Sequence, residues 1–100
     1  MPFVITLTIQ LHFPDNGSLK GKRKELLSVR SALNRKFGAS VAEVGDQDLW
    51  QRATLAAALV SRTAGDVEHV ADAVERYLHG RFPETVRVER RLVSFEDLDF

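Results

Sequence analysis

Large apolar side chains alternate with smaller or polar ones from residue 3 to residue 13 of the chain. The apolar set is Phe3, Ile5, Leu7, Ile9, Leu11 and Phe13, and Val4, Thr6, Thr8, Gln10 and His12 stand between its members. A period of two predicts a β-strand with one face in the core. The run Pro14-Asp15-Asn16-Gly17 then predicts a turn.

The apolar spacing becomes helical from Leu19 onward. Leu19, Leu26, Val29, Leu33 and Phe37 share one stripe of a helix. Ser18 is the expected N-cap, and Gly38 is expected to end the helix in a left-handed conformation. A second helix is predicted over Asp66–His79, with Gly80 and Pro83 ending it. Its apolar stripe comprises Val67, Val70, Ala71, Val74, Tyr77 and Leu78.

Three further strands are predicted at Ser40–Val44, Arg52–Ser61 and Thr85–Ser94. Arg52–Ser61 is rich in alanine, a poor strand former, so a helix is the competing interpretation. A strand is favoured there because the short strand before it needs a partner. Gly65 and Asp66 also open a separate helix soon afterwards.

The predicted order, β-α-β-β-α-β, is typical of an α+β ferredoxin-like fold. Two right-handed crossovers place both helices on one face of a four-stranded antiparallel sheet. Residues 1–94 are expected to form this one domain, followed by an acidic tail, FEDLDF, over residues 95–100. The opposite face of the sheet is expected to be uncovered. Its predicted members are Thr6, Thr8, Gln10, His12, Glu43, Thr54, Ala56, Ala58, Arg87, Glu89 and Arg91.

Composition narrows the class of protein. The chain has 100 residues, 44% of them hydrophobic and 28% charged, as expected for one globular domain. It contains no apolar run of the ~20 residues that a membrane helix needs. The first residues lack a basic segment with a cleavage site, and cysteine is absent. We therefore expect a cytoplasmic protein without membrane association, disulfides or cysteine-bound metal.

The charge of this neutral chain is unevenly distributed. Residues 18–37 carry seven cations and one anion, Glu25, and so a net charge of +6. A helix start attracts anions, so this segment is a candidate anion- or RNA-binding site. The predicted contact residues are Ser18, Lys20, Lys22, Arg23, Lys24, Arg30 and Arg35. The alternative is a solvated basic helix face with an ordinary serine cap.

A second candidate is the central motif of Asp46, Gln47, Asp48, Trp50 and Arg52. These side chains could form a polar site beneath the tryptophan. The interpretation favoured for the carboxylates is a tight hairpin in which they cap backbone amides. For the tryptophan, packing against a helix end and anchoring a partner remain equal alternatives.

No catalytic set is recognisable. The three histidines show no helical pair and no HExxH, so no metal site is predicted. The uncovered sheet face lacks the aromatic residues with which an RNA-recognition motif stacks bases. The loop with Asn16, Gly17 and Gly21 lacks the arginine-bearing pattern of acylphosphatases. A non-enzymatic binding protein without a cofactor is the expected class.

Three segments together resemble the YlxP-like family of small bacterial proteins. They are SLKGKR at residues 18–23, VAEV at 41–44 and DQDLWQRA at 46–53, and the resemblance extends from about Phe3 to Leu92. It implies a ferredoxin-like fold and a domain of unknown function. Genes of that family often lie beside those for transcription termination, translation initiation and ribosome maturation. The resemblance therefore implies a link to RNA or ribosomes, and it supplies no catalytic residue.

Two hypotheses from different classes follow. The first is an RNA- or ribosome-associated factor whose basic helix contacts phosphate oxygens without reading sequence. The second is a homodimeric interaction module whose small residues Thr54, Ala56 and Ala58 let two uncovered sheet faces meet, with the acidic tail docked across the pair. A small hydrolase of anionic substrates is the third and weakest alternative.

Overall fold

The computed structural model describes residues 1–98 and confirms the predicted order of elements. The strands are β1 (Phe3–His12), β2 (Ser40–Gly45), β3 (Arg52–Ser61) and β4 (Val86–Ser94), and the helices are α1 (Leu19–Phe37) and α2 (Ala64–Arg81). A 3₁₀ turn, Phe95–Asp97, follows β4. The predicted tail falls in part on residues 99 and 100, outside the described residues.

The ends of α1 are confirmed. Ser18 is extended and its hydroxyl accepts a hydrogen bond from the amide of Gly21 at 3.0 Å, and Gly38 is left-handed with φ 70°. The predicted start of α2 at Asp66 is wrong by two residues. Thr63 is the N-cap, because its hydroxyl accepts the amide of Asp66 at 3.1 Å and so places Gly65 inside the first turn. The helix also continues past Gly80 to Arg81.

The sheet is antiparallel with strand order β2-β3-β1-β4. The alanine-rich segment is a strand, as predicted, because it lies between β1 and β2 and pairs with both. Its partners override the low strand propensity of alanine. One face of β1 and β3 is buried beneath the helices. That core includes Ile5, Leu7, Ile9, Leu11, Ala53, Leu55, Ala57, Leu59, Val29, Leu33, Val67, Val74 and Leu78.

The opposite face of the sheet, here called the open face, changes character along the strands. Its cross-strand rows are Val60–Val4–Val93, Ala58–Thr6–Arg91, Ala56–Thr8–Glu89, Thr54–Gln10–Arg87 and Arg52–His12. It is therefore apolar at one end and charged at the other. Neither helix packs on this side, since both lie on the face that carries Leu7 and Leu55.

The prediction that Glu43 belongs to the open face is wrong. Glu43 pairs with Leu55, and Val41, two residues earlier, pairs with Ala57. Since Leu55 and Ala57 point to the helices, both β2 side chains lie on the helix face. The register of β2 then shifts between Glu43 and Gly45.

An ion-pair cluster joins the edge strand β4 to α2. Arg90 donates to Asp72 Oδ1 at 2.8 Å and to Glu75 Oε2 through Nε at 2.7 Å. Burial alone lowers the pKa of Arg90, but the hydrogen bonds and charges of Glu75 and Asp72 outweigh it, so the pKa is raised. The guanidinium therefore stays charged at neutral pH and holds β4 on α2. No helix within residues 1–98 is long and apolar enough to cross a membrane.

Candidate functional site

Three loops meet at one end of the molecule, here called the loop end. They are residues 13–18 after β1, 46–51 between β2 and β3, and 82–85 before β4. The amide of Phe13 donates to the carbonyl of Gln51 at 2.7 Å, and the amide of His12 donates to that of Thr85 at 3.0 Å. The Gln51 side-chain amide also donates to the carbonyls of Pro14 and Asn16, both at 3.1 Å. The backbones of these loops therefore hold one another in place.

Asn16 connects the start of α1 to the central loop. Its side-chain amide donates to the carbonyl of Ser18 at 2.7 Å and to that of Trp50 at 2.5 Å. A Cβ on Gly21 would lie 2.3 Å from Asn16 Oδ1, so this helical position needs a glycine for Asn16 to remain where it is. The hydroxyl of Ser18, predicted to contact an anion, accepts the Gly21 amide and so caps α1.

Lys22, also predicted to contact phosphate, is buried. It is only 1% exposed, and its ammonium donates to the carbonyls of Asp46 at 2.8 Å, Gln47 at 3.3 Å and Arg52 at 3.1 Å. All three ammonium hydrogens are therefore used inside the protein. The prediction for Lys22 is wrong: this side chain anchors the central loop on α1 and is absent from the exposed basic surface.

The spacing of residues along α1 could have indicated that Lys22 is buried. Lys22 comes three residues after Leu19 and four before Leu26, so it falls on the apolar stripe of α1. A lysine on a buried stripe needs acceptors and a counter-charge. The carbonyls that accept it are 24 to 30 residues away in the chain, so they could not be identified from the stripe.

Glu43 supplies the counter-charge. Its Oε2 lies 3.4 Å from Lys22 Nζ, and this oxygen is buried and accepts no hydrogen bond from residues 1–98. Glu43 forms an ion pair without a hydrogen bond because the three ammonium hydrogens of Lys22 point to carbonyls. The carboxylate therefore contributes charge alone. The side chains of the pair are 2% and 23% exposed, which makes it a largely desolvated ion pair.

The central loop is a tight turn with its aromatic residue on the outside. The amide of Leu49 donates to the carbonyl of Asp46 at 3.1 Å, and Asp46 has a left-handed backbone with φ 63°. The Asp46 carboxylate accepts the Thr54 hydroxyl at 3.0 Å, not a backbone amide as predicted. Trp50 is 55% exposed, so its packing as a plug against a helix end is ruled out.

The outward side of α1 carries five of its six remaining cations, and the sixth, Lys36, lies over the ring of Tyr77. We call this surface the basic face and define it by Lys20, Arg23, Lys24, Arg30 and Arg35, all exposed. Across residues 1–98 no carboxylate forms an ion pair with any of them, and Glu25, the only acid of α1, pairs with Arg81 at 3.2 Å. Arg30 also donates to the carbonyl of Val41 on the edge strand β2 at 3.3 Å.

Two of the cavities at the loop end include Arg52 in their lining. One of about 500 Å³ lies where the open face ends, with polar walls from Gln10, His12, Asp46, Arg52, Glu84 and Arg87. The other, about 400 Å³, is lined by residues 49–52. Arg52 lines both cavities. In the part of the chain that the structure describes, no three His, Asp or Glu side chains are grouped so that they could hold a metal.

The architecture defines the class of protein. It is an α+β ferredoxin-like sandwich, similar to the designed protein Foldit4, at 10% identity over 94% of this chain and 98% of that one, with a TM-score of 0.59. It is also similar to part of the VAO-type flavoprotein MtVAO615 of Myceliophthora thermophila, at 12% identity over 93% of this chain and 17% of that one, with a TM-score of 0.52. At these identities the likeness concerns the fold alone.

The family follows from the sequence comparisons. The family described as "Protein of unknown function (DUF503)" matches residues 4–91. "Uncharacterized protein YlxP" of Bacillus subtilis (strain 168) is 36% identical over 81 residues, which are 81% of this chain and 87% of that protein. The chain therefore belongs to the DUF503 family, and the predicted resemblance to YlxP-like proteins is confirmed.

Proposed function

We propose that this protein is a non-enzymatic RNA-binding factor whose basic face contacts phosphate oxygens. The observation that carries the proposal is the absence of carboxylate partners for Lys20, Arg23, Lys24, Arg30 and Arg35 within residues 1–98. A cation already paired on the surface has little attraction left for a phosphate, whereas an unpaired one releases the counterions of the nucleic acid when it binds.

The geometry of α1 fits a track of phosphates. Lys20 and Arg35 are fifteen residues apart on one helix, hence about 22 Å at 1.5 Å per residue. Residues 18–37 carry +6 and the whole chain is neutral, so the remaining residues carry a net −6 and α1 is the most strongly attractive element for nucleic acid. We propose RNA as the ligand because genes of YlxP-like proteins often lie beside genes for transcription termination, translation initiation and ribosome maturation.

The test is binding to ribosomal subunits and to structured RNA at low and moderate salt. The double reversal R23E/R30E is expected to weaken binding about 100-fold at low salt, since it removes two favourable contacts and adds two repulsive ones. If each of the five cations contacts one phosphate, a plot of the logarithm of the affinity against the logarithm of the salt concentration should have a slope of about −3.5 to −4.5.

The matched control is R62E/R76E, which makes the same change of charge at two exposed arginines outside α1. This variant should keep most of the affinity. Circular dichroism would establish that both variants remain folded. Equal losses in the two variants, or full binding by R23E/R30E, would contradict a role for the basic face.

A second candidate function, a homodimeric interaction module, is favoured by the apolar end of the open face. Val60, which is 63% exposed, pairs with Val4, and Val4 pairs with Val93 on its other side. The adjoining Ala58 and Ala56 add small uncharged surface, which costs little to desolvate. The residues of the predicted dimer face, Thr54, Ala56 and Ala58, are on this side of the sheet, and Ala58 adjoins the valine row.

Sedimentation equilibrium at micromolar concentration tests this second candidate. Wild type is expected to be a dimer and V60D a monomer, because dimerisation would bury the new carboxylate without a partner. L27D is the control, since Leu27 is also exposed, at 65%, but lies on α1, on the other side of the sheet from the open face. A monomeric wild type, or an identical effect of both variants, would refute the dimer.

A further inference from the structure

Trp50 combines high exposure with an immobilised backbone. Its side chain is 55% exposed, but the carbonyls of residues 46, 47, 50, 51 and 52 all accept hydrogen bonds from outside the turn. Lys22, Asn16 and the Phe13 amide are the donors. A fixed backbone lowers the entropy that the residue would lose on binding a partner. The loop is thus built to present this aromatic ring to solvent.

The surroundings of Trp50 indicate the chemistry of that partner. Arg52 lines the same cavity of about 400 Å³ as Trp50. Through Asn16, the carbonyl of Trp50 is also linked to that of Ser18, the cap of α1, with bonds of 2.5 Å and 2.7 Å. The backbone of Trp50 is therefore tied to the start of α1. A flat aromatic surface next to Arg52, which forms no ion pair within residues 1–98, matches a nucleotide, which has an aromatic base and an anionic phosphate.

We propose that Trp50 is a stacking platform for an unpaired base of RNA, with Arg52 contacting the adjacent phosphate. This inference rests on the proposed function and adds to it the form of RNA that is bound: a single-stranded segment or loop beside the segment held by the basic face. Duplex bases are already stacked on one another and cannot reach an isolated side chain. The protein thus uses a loop for the stacking that its open face cannot provide.

The acidic residues of the loop limit where the phosphate can lie. Asp46 and Asp48 are both exposed, and the Asp46 carboxylate accepts the Thr54 hydroxyl at 3.0 Å and lines the cavity of about 500 Å³ together with Arg52. A phosphate beside either carboxylate would be repelled, so we expect it on the Arg52 side of the ring in the cavity lined by residues 49–52, which neither Asp46 nor Asp48 lines. The variant D48N, which removes that repulsion, should bind single-stranded RNA about 2- to 5-fold more tightly at low salt.

Since Trp50 is the only tryptophan, its fluorescence reports on the platform directly. The probes are a 12-nucleotide single-stranded RNA and a 12-base-pair RNA duplex. Wild type should show quenching with the single strand and little with the duplex. W50A should lose roughly 5- to 150-fold in single-strand affinity, the range for one stacked base, and W50F should retain most of it. Q47A, at an exposed residue of the same loop that does not line the cavity of residues 49–52, is the control and should change affinity less than 3-fold.

The outcomes separate this proposal from the proposed function. If W50A binds the single strand as tightly as wild type and no quenching occurs, while R23E/R30E still weakens binding, the platform is wrong and the basic face stands. If wild type binds neither RNA at low salt, both proposals fail. Loss of affinity in W50A and Q47A alike would indicate general damage to the loop and would also overturn the platform. Thermal unfolding of each variant establishes that it is folded.

Discussion

Replacing Lys22 by methionine is expected to lower the free energy of unfolding by about 3 kcal/mol, and the melting temperature by roughly 15 °C. Methionine has a similar length and fills the site, so the loss comes from electrostatics and hydrogen bonding. The change leaves the carbonyls of Asp46, Gln47 and Arg52 without their donor and Glu43 without its counter-charge. Denaturant unfolding followed by circular dichroism measures it.

Lys24→Met is the matched control, because Lys24 is exposed on the same helix and forms no ion pair among the described residues. It should change the free energy of unfolding by less than about 0.5 kcal/mol. The double variant K22M/E43L should recover part of the loss, since it also removes the unpaired carboxylate from beside Leu55. A loss below about 1 kcal/mol in K22M would show that Lys22 does not anchor the loop.

Truncating Leu33 to alanine is expected to cost about 3 kcal/mol of unfolding free energy. Leu33 is fully buried, so the substitution removes apolar contacts and leaves a cavity that the surrounding side chains fill only in part. Leu27 on the same helix is 65% exposed, and L27A should change stability by less than about 0.5 kcal/mol. Both substitutions replace leucine by alanine within α1, so their difference isolates burial from helix propensity.

The two leucine variants also test the orientation of α1. If Leu27 were on the buried side, the basic face would turn toward the sheet and its cations could not reach a phosphate. Similar losses in L33A and L27A would therefore contradict the orientation on which the proposed function depends. The stability losses of the two variants can be compared from their denaturant midpoints, provided that the m-value is unchanged.

The stability of the core and the position of the loop that exposes Trp50 depend on one another through α1. Lys22 points inward from the same helix whose outward side forms the basic face, and its ammonium holds the loop that carries Trp50. Asn16 reinforces this connection from the preceding turn, in the space left by Gly21. Two of the sequence motifs, SLKGKR and DQDLWQRA, therefore belong to one hydrogen-bonded unit.

Local sequence patterns determined the elements and their order. The alternation in β1, the Ser18 and Gly38 caps and the helical stripes each depend on neighbours a few residues away, and periodicity records such neighbours directly. The family was likewise recognisable from three short motifs. The start of α2 was predicted two residues too late for a reason that is also local. Thr63, Gly65 and Asp66 lie close together and each can signal the start of a helix, and Thr63 is the N-cap.

Only the tertiary structure decided which polar residues belong to the surface. Lys22 stands among exposed cations in the sequence, and its burial requires carbonyls 24 to 30 residues away. The face of Glu43 depends on the register of β2 against β3, which a six-residue strand does not specify by itself. Trp50 is exposed because its loop is held by groups from other elements. Such partners are distant along the chain, so periodicity carries no record of them.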